Sequence, residues 1–432
     1  MAAIIDVIDA RTGDSSALQA LCQRSLADLP DHIEADVRHI VEDVRRRGDE
    51  ALIDYERQFD CANFTAEHLV VSSEEIEEAY AQVSSAQLGA LRRARENVYE
   101  FYLKGRPCSW LDEFDGVWLG QRVTPVDSAG IYVPARSAPL PSTVYMCAMP
   151  ARVAEVPRIA ICSPPRKDGS LDALTLVAAA ECGVDEIYRL GGAQAIAALA
   201  FGTESVEPVS KVVGPGNPWV TMAKKYVYGI VGIDSLAGPS EVLVIADAAA
   251  EPAIIAADLL AQAEHTGDNM TVLITPSEVL VEQVTAELQQ QVAGAERMAQ
   301  IQDSLSEFGA IVLVRDLHHA ARLASDIAPE HLQLLVEEPL ALLAEIDHAG
   351  CVCIGELTPV PLGDYAAGPS HVLPTGGTAR FASGLAVDDF VKRTSLISAT
   401  RRGLDRLAPD VIELAKAEGL AAHANAVQRR QH

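Results

Sequence analysis

The stretch that most constrains the fold is residues 236–268, LAGPSEVLVIADAAAEPAIIAADLLAQAEHTGD. From 241 to 247 a short apolar run of Val, Leu, Val and Ile stands between a Gly-Pro-Ser turn and acidic residues. That is the pattern of a strand buried on both faces. From Pro252 the period changes: Ile254, Ile255, Leu259 and Leu260 recur at helical spacing, with Pro252 in the first turn, where its missing N–H costs little. A doubly buried strand that feeds an apolar helix belongs in a parallel sheet covered by helices.

The same alternation surrounds this unit. Residues 116–135, GVWLGQRVTPVDSAGIYVPA, read as strands with a turn near Asp127. An apolar helix at 146–153, a strand at 158–162, a helix at 171–182 and a strand at 186–190 follow, and Gly191-Gly192-Ala193-Gln194 opens another helix. Further on come a strand at 310–314, a helix at 318–328 and the strand-like QLLV of 333–336. Residues 33–58 and 73–104 read as charged amphipathic helices, and the last fifty or so residues as helices as well. The β-α-β-α order gives the fold class, α/β with parallel sheets and right-handed crossovers. Ligands are expected at the carboxyl ends of such strands. Two loops stand out there. GGAQ offers backbone N–H groups at a helix N-terminus, a ready anion site, and GPGN at 214–217 lets a ligand approach the backbone. No GxGxxG dinucleotide fingerprint is present.

Composition excludes some partners. A net charge of −27 over 432 residues argues against nucleic acid and anionic membrane. Hydrophobic content of 49% with only 5% aromatics suits an α/β build with large cores. The eight cysteines form no CxxC pair; Cys351 and Cys353 lie on one face of an apolar strand-like run, where a buried reduced pair is expected rather than a metal or redox site. This usage fits a reducing cytoplasm. The N-terminus lacks a basic region followed by a long apolar core, and no apolar run reaches the length of about 18 residues needed to span a bilayer. A cytoplasmic location is expected.

Candidate chemistry is scattered. Gln262 and His265 sit three apart, so they share a helical face and can give half of a divalent metal site, or remain a solvated helix end. Glu330 and His331 are adjacent at a turn and can act as an acid/base pair, although a surface Glu-His pair is common. The low-periodicity stretch at 363–377, with Asp364 and His371, reads as a functional loop. Glu418 and His423 lie in AEGLAAHANAV near the C-terminus, where a His is often a bystander.

Taken together, GGAQAIAALAFGTE, KVVGPGN, VGIDSLAGPSEVLVIAD, AQAEH, APEHL, GDYAAG followed by SHVLPTGG, SGLAVDDFVKR and AEGLAAHANAV resemble histidinol dehydrogenase in order and spacing. The resemblance covers essentially the whole chain from about residue 30. It implies a zinc- and NAD-dependent enzyme that oxidises L-histidinol through L-histidinaldehyde to L-histidine, with reduction of two NAD. It further implies two incomplete Rossmann-like domains with parallel-sheet cores, plus small N- and C-terminal helical extensions that mediate dimerisation. The boundaries expected are 1–30 for an N-terminal extension, 31–131 with 239–384 for the first domain, 132–238 for the NAD-binding domain and 385–432 for the C-terminal segment.

Residue by residue, the resemblance matches Gln262, His265, Asp364 and His423 to the ligands of one Zn2+ per subunit. His423 would come from the partner subunit, which makes the protein a homodimer. Glu330 and His331 match the acid/base pair. Ser240, His371 and Glu418 match substrate-contacting positions, shared with His331 and the four ligands, while Tyr132, Gln194 and Asn217 match positions that contact NAD. Two positions depart from the family pattern: Ala135-Arg136 replace a usual Gly-Gly pair after the YVP motif, and Cys147 replaces a small polar residue. The departure leaves open a related dehydrogenase for another small polar alcohol. A non-catalytic metal- or metabolite-binding dimer on the same scaffold is a third reading, which the presence of both Glu330 and His331 disfavours.

Overall fold

The computed structural model describes residues 4–13, 16–23, 31–135, 138–184, 186–265 and 268–431. Arg136 lies outside them. Along the chain the strands are β1 (Asp6–Asp9), β2 (Trp110–Phe114), β3 (Val117–Pro125), β4 (Ser128–Tyr132), β5 (Arg158–Ser163), β6 (Glu186–Arg189) and β7 (Lys211–Val213). They continue with β8 (Gly232–Ile233), β9 (Glu241–Ala246), β10 (Met270–Thr275), β11 (Gly309–Leu313), β12 (His331–Leu335), β13 (Cys351–Ile354) and β14 (Val391–Ala399).

Two parallel sheets carry the fold. One has six strands in the order β1-β11-β10-β9-β12-β13, the other five in the order β6-β5-β4-β7-β8. All six residues of β9 are buried, as the apolar run requires. Val242 and Val244 turn to one core and Leu243 and Ile245 to the other, the two-residue period of a strand covered on both sides. The helix Pro252–Ala263 covers the first of these faces with Ile255 and Leu259, both fully buried. Each such side chain contributes about 1.5–3 kcal/mol.

The second sheet is packed as closely. A Cβ on Gly130 of β4 would stand 2.9 Å from the Leu199 side chain, so the helix Gly192–Phe201 rests directly on that strand. The charged helix expected at 33–58 is two helices, Asp31–Arg47 and Asp49–Phe59, broken at Gly48, where φ is +59°. Val37, Val41 and Val44 of the first are buried with Ala195, Ile196 and Leu199 of the second sheet's covering helix.

Two strands depart from the sequence reading. β14 runs through a segment expected to be helical, and β2 stands where no strand was evident. Together they flank β3 in an antiparallel three-stranded sheet. All five residues of β2 are exposed, and β14 is exposed beyond its first residue. With neither face covered there is no inward set to impose an alternating pattern, so the segment carries little strand signal. The chain then ends in the helices Arg401–Ala417 and Ala421–Gln428.

Candidate active site

Glu330 and His331 lie at the amino edge of the six-stranded sheet, not at the carboxyl ends where an α/β sheet usually binds its ligands. β9 begins at Glu241 and β12 at His331, and the two strands pair in register, His331 beside Val242. Glu330 and Glu241 clasp this corner reciprocally: Glu241 N–H donates to the Glu330 Oε2 at 2.8 Å, and Glu330 N–H donates to the Glu241 Oε2 at 3.1 Å. Gly376 N–H donates to the other Glu241 oxygen at 2.9 Å. Glu241 was not singled out in the sequence. The available signal was an acidic first residue on an otherwise wholly apolar strand.

His331 is buried, with Nδ1 3.2 Å from the Glu241 carbonyl and 3.6 Å from the Glu330 carboxylate. The carbonyl can only accept, so Nδ1 carries a proton in either charge state and Nε2 is the nitrogen at which the second proton is gained or lost. Nε2 faces the Asp364 Oδ1 at 3.4 Å. Burial pulls the imidazole pKa down; the charges of Glu330 and Asp364 outweigh it and push the pKa up. Asp364 responds in the opposite sense: burial raises its carboxyl, and the hydrogen bond and charge of His331, with the charges of His371 and His265, bring it below its ordinary value.

Asp364 is carried on a π-helical turn, Gly363–Ala367, a form that recurs at functional sites. The turn is held by Asn97 Nδ2 on the Ala366 carbonyl at 2.8 Å and Tyr145 Oη on the Tyr365 carbonyl at 2.9 Å. Tyr102 pins the loop beyond it, accepting from Ser370 N–H at 2.9 Å and donating to the Leu385 carbonyl at 2.6 Å. His371 closes the group: Nδ1 donates to the Asp364 carbonyl at 3.0 Å and Nε2 accepts from the Thr143 hydroxyl at 3.2 Å. Burial lowers the His371 pKa, which agrees with this neutral tautomer. Thr143 and Tyr145 belong to the helix Pro141–Val153 beside the second sheet, so the site is built at the junction of the two parallel-sheet cores.

Gln262 ends the Pro252–Ala263 helix, 4% exposed, and its amide nitrogen has no hydrogen-bond partner. A buried amide left unsatisfied is costly, and here it stands one turn beyond Asp258, whose carboxylate instead accepts from Gln333 Nε2 at 2.7 Å. His265 follows the helix end, exposed, with its carbonyl accepting from Gln300. Ser240 immediately precedes β9, and its carbonyl accepts from Met270 N–H at 3.1 Å.

Glu418 and His423 do not join this group. Both are exposed on the C-terminal arm, where the Arg401–Ala417 helix is tied to the β2–β3 turn through Arg402 and Arg406 on Asp115. Among the described residues no three His, Cys, Asp or Glu side chains of one chain gather as a metal cluster.

The cofactor candidates lie on the second sheet. Tyr132 ends β4, and its hydroxyl accepts from Gly192 N–H at 3.1 Å. Gln194 is 1% exposed and donates to the Glu56 carboxylate at 2.9 Å, the same oxygen that accepts from Gly191 N–H at 2.8 Å. The helix N-terminus at GGAQ is therefore filled by the chain's own carboxylate, which corrects its reading as an open anion site. Asn217 is exposed and caps the helix Pro218–Val227 through Val220 N–H at 3.1 Å. The loop it ends is fixed from below by Lys224, whose ammonium binds the Gly214 carbonyl at 3.0 Å and pairs with Asp234 in the interior. Gly214 has φ +112°, and a Cβ there would meet the Tyr132 carbonyl at 2.3 Å, so only glycine fits.

The donor set suits zinc. Gln262, His265 and Asp364 are mixed nitrogen and oxygen donors of the kind zinc accepts, and the buried Gln262 amide nitrogen has no partner among the described residues. A buried glutamate–histidine pair flanked by a carboxylate and a second imidazole, on a scaffold of two parallel sheets, places the chain among α/β enzymes.

Known proteins narrow the class further. The family model described as histidinol dehydrogenase matches residues 23–431. Histidinol dehydrogenase of Synechococcus sp. is 50% identical over 415 residues, 96% of each chain. That of Heliobacterium mobile is 49% identical over 400 residues, 92% of this chain and 94% of its own. The crystal structure of histidinol dehydrogenase from Elizabethkingia anophelis superposes with a TM-score of 0.94 at 35% identity, covering 100% of this chain and 98% of that one. The chain belongs to the histidinol dehydrogenase family.

Proposed function

We propose that the protein oxidises L-histidinol through L-histidinaldehyde to L-histidine, using Zn2+ and two NAD. The observation that carries this reading is the placement of His331 Nε2 3.4 Å from Asp364. Gln262, His265 and Asp364 would hold the metal with His423 of a second copy. When bound, zinc supplies a Lewis acid that fixes the substrate's imidazole and amine nitrogens.

The chain's own residues do the proton work. His331 takes the alcohol proton at Nε2, without which the carbinol does not release hydride, and Glu241 keeps the opposite nitrogen protonated throughout. Glu330, 3.6 Å from His331 Nδ1, assists the addition of water to the aldehyde. His371 and Ser240 line the substrate side, and Glu418 reaches it from the second copy. Tyr132, Gln194 and Asn217 mark the NAD side. Gln194 acts there through the Glu56 clasp, since its amide is already engaged.

A homodimer fits the exposed apolar side chains of the antiparallel sheet and the C-terminal arm, among them Trp110, Phe114, Ile397, Leu414 and Leu420. In this reading the C-terminal segment from residue 385 reaches across to the second copy, while the two parallel-sheet units divide the metal and NAD sides as the sequence boundaries have it. A cytoplasmic setting is consistent with eight unpaired cysteines and with the absence, among the described residues, of a helix long and apolar enough to cross a membrane.

The test is direct. Purified protein supplied with L-histidinol should reduce about two NAD per substrate consumed, as two successive hydride transfers demand, and should lose activity on chelation and regain it with Zn2+. Full turnover by metal-free protein, or a second small polar alcohol clearly preferred over histidinol, would contradict the reading.

A further inference from the structure

The Cys351-Val352-Cys353 triplet is not the buried pair that its sequence suggests. Cys353 is 4% exposed, but Cys351 is only half-buried. The triplet forms β13, the edge strand of the six-stranded sheet, and the register sets Cys351 beside His331 and Cys353 beside Gln333. Side chains of register partners project to the same face of a parallel pair, so the two thiols lie in a row with the general base and behind it. The two lie two residues apart on one face of β13, and Cys351 stands beside His331 in register. Neither sulfur has a part in histidinol oxidation as derived above.

We propose that Cys351 and Cys353 form an oxidisable dithiol site beside His331, where a hydroperoxide closes a disulfide and reversibly stops turnover. The Cys351 thiolate attacks one peroxide oxygen, the O–O bond breaks, and a sulfenic acid forms as hydroxide leaves and takes a proton to become water. The Cys353 sulfur then attacks Cys351, the S–O bond breaks, and the Cys353 proton leaves with that oxygen as a second water. Each sulfur loses one electron, and the peroxide gains two. The roles follow from position: Cys351 is the half-buried sulfur that a peroxide can reach, and Cys353, 4% exposed, is the one that resolves. An accessible thiolate beside a resolving thiol is the arrangement that redox sensing requires.

The disulfide would act on the base through the backbone. Alternate residues of a strand stand roughly 6.6 Å apart, near the upper limit of about 6.8 Å for disulfide-linked Cα atoms, so closure requires β13 to buckle at Val352. An edge strand flanked by Gly350 and by Gly355, which has φ +81° and open space around it, can do so. Two hydrogen bonds would move with it: Gly350 N–H on the Pro329 carbonyl at 2.9 Å and Cys351 N–H on the Glu330 carbonyl at 2.8 Å. Both hold the Glu330–His331 corner.

The switch-off rests on the proposed function; the disulfide does not. Zinc-loaded full-length protein is treated with hydrogen peroxide, then divided between peptide mass analysis and the histidinol assay. The expected result is loss of two hydrogens on the peptide holding 351–353, with turnover lost in step and recovered by dithiothreitol. Cys351→Ala/Cys353→Ala should keep basal turnover and resist this reversible loss. The proposal is overturned if no 351–353 disulfide forms in the wild type, if it forms and turnover persists, or if the double variant is inactivated as reversibly as the wild type. A protein that forms the disulfide but never oxidised histidinol would instead contradict the proposed function. Because the mass measurement needs only wild-type protein, a variant that fails to fold leaves the proposal testable.

Discussion

With Nδ1 of His331 committed to the Glu241 carbonyl, Nε2 is left as the atom that can take a proton, and asparagine can mimic the first contact but not the second role. His331→Asn should therefore keep the fold and its bound zinc while lowering kcat roughly 10²–10⁴-fold; steady-state kinetics with metal analysis on the same sample checks it, and unchanged turnover would remove His331 from the mechanism. Thr143 is a positioning residue. Its hydroxyl fixes the Nε2 of His371 at 3.2 Å, and valine preserves its shape. Thr143→Val should raise KM by more than it lowers kcat, by an amount matching one lost hydrogen bond of about 0.5–1.5 kcal/mol. Thr143→Ser should restore the wild-type KM, and a valine variant whose KM does not move would show His371 to be oriented by other means.

At the scale of elements, the helix Ser85–Lys104 is stapled to the helix Ala173–Glu181 by one carboxylate. Glu181 accepts from Arg92 Nε at 2.9 Å and Nη2 at 2.7 Å, and from the Tyr80 hydroxyl at 2.9 Å. The Arg92 hydrogen bonds lead in holding its pKa below the ordinary 4.5. A carboxyl depressed in the folded state adds stability that is fully present above its unfolded pKa and is lost as pH falls through the folded one. Glu181→Gln should thus lower the urea midpoint at neutral pH only slightly, because Arg92 is half exposed and solvent screens the pair. The gap from wild type should begin to narrow as pH falls below 4.5 and close once pH passes the lowered folded value; a gap that persists at that acidity would show that the staple is not electrostatic.

The elements also show what the sequence could and could not reveal. β9 and the Pro252–Ala263 helix were legible because both are buried, and burial writes its period into the residues. β2 and β14 were not, because they lie bare within one chain and their exposed Trp110, Phe114 and Ile397 have no partner element in that chain to set a pattern. The site divides the same way. Glu330, His331, Asp364 and His371 came from motif resemblance and meet in space. The amino-edge location did not follow from the general rule for α/β sheets. Glu241 and Thr143 escaped notice because they touch other site residues rather than presenting a motif of their own.

For the whole molecule, one chain holds Glu330, His331 and three candidate ligands, while Glu418 and His423 stand on an exposed arm. In the proposed homodimer a second copy returns them to the site. This is tested by heterodimers of differently tagged His331→Asn and His423→Ala chains, purified through both tags. Each variant alone should be nearly inactive. In the heterodimer one site regains both an intact His331 and the other chain's intact His423, so histidinol-dependent NAD reduction should reappear at up to about half the wild-type rate per dimer. Heterodimers as inactive as their parents would contradict a shared site.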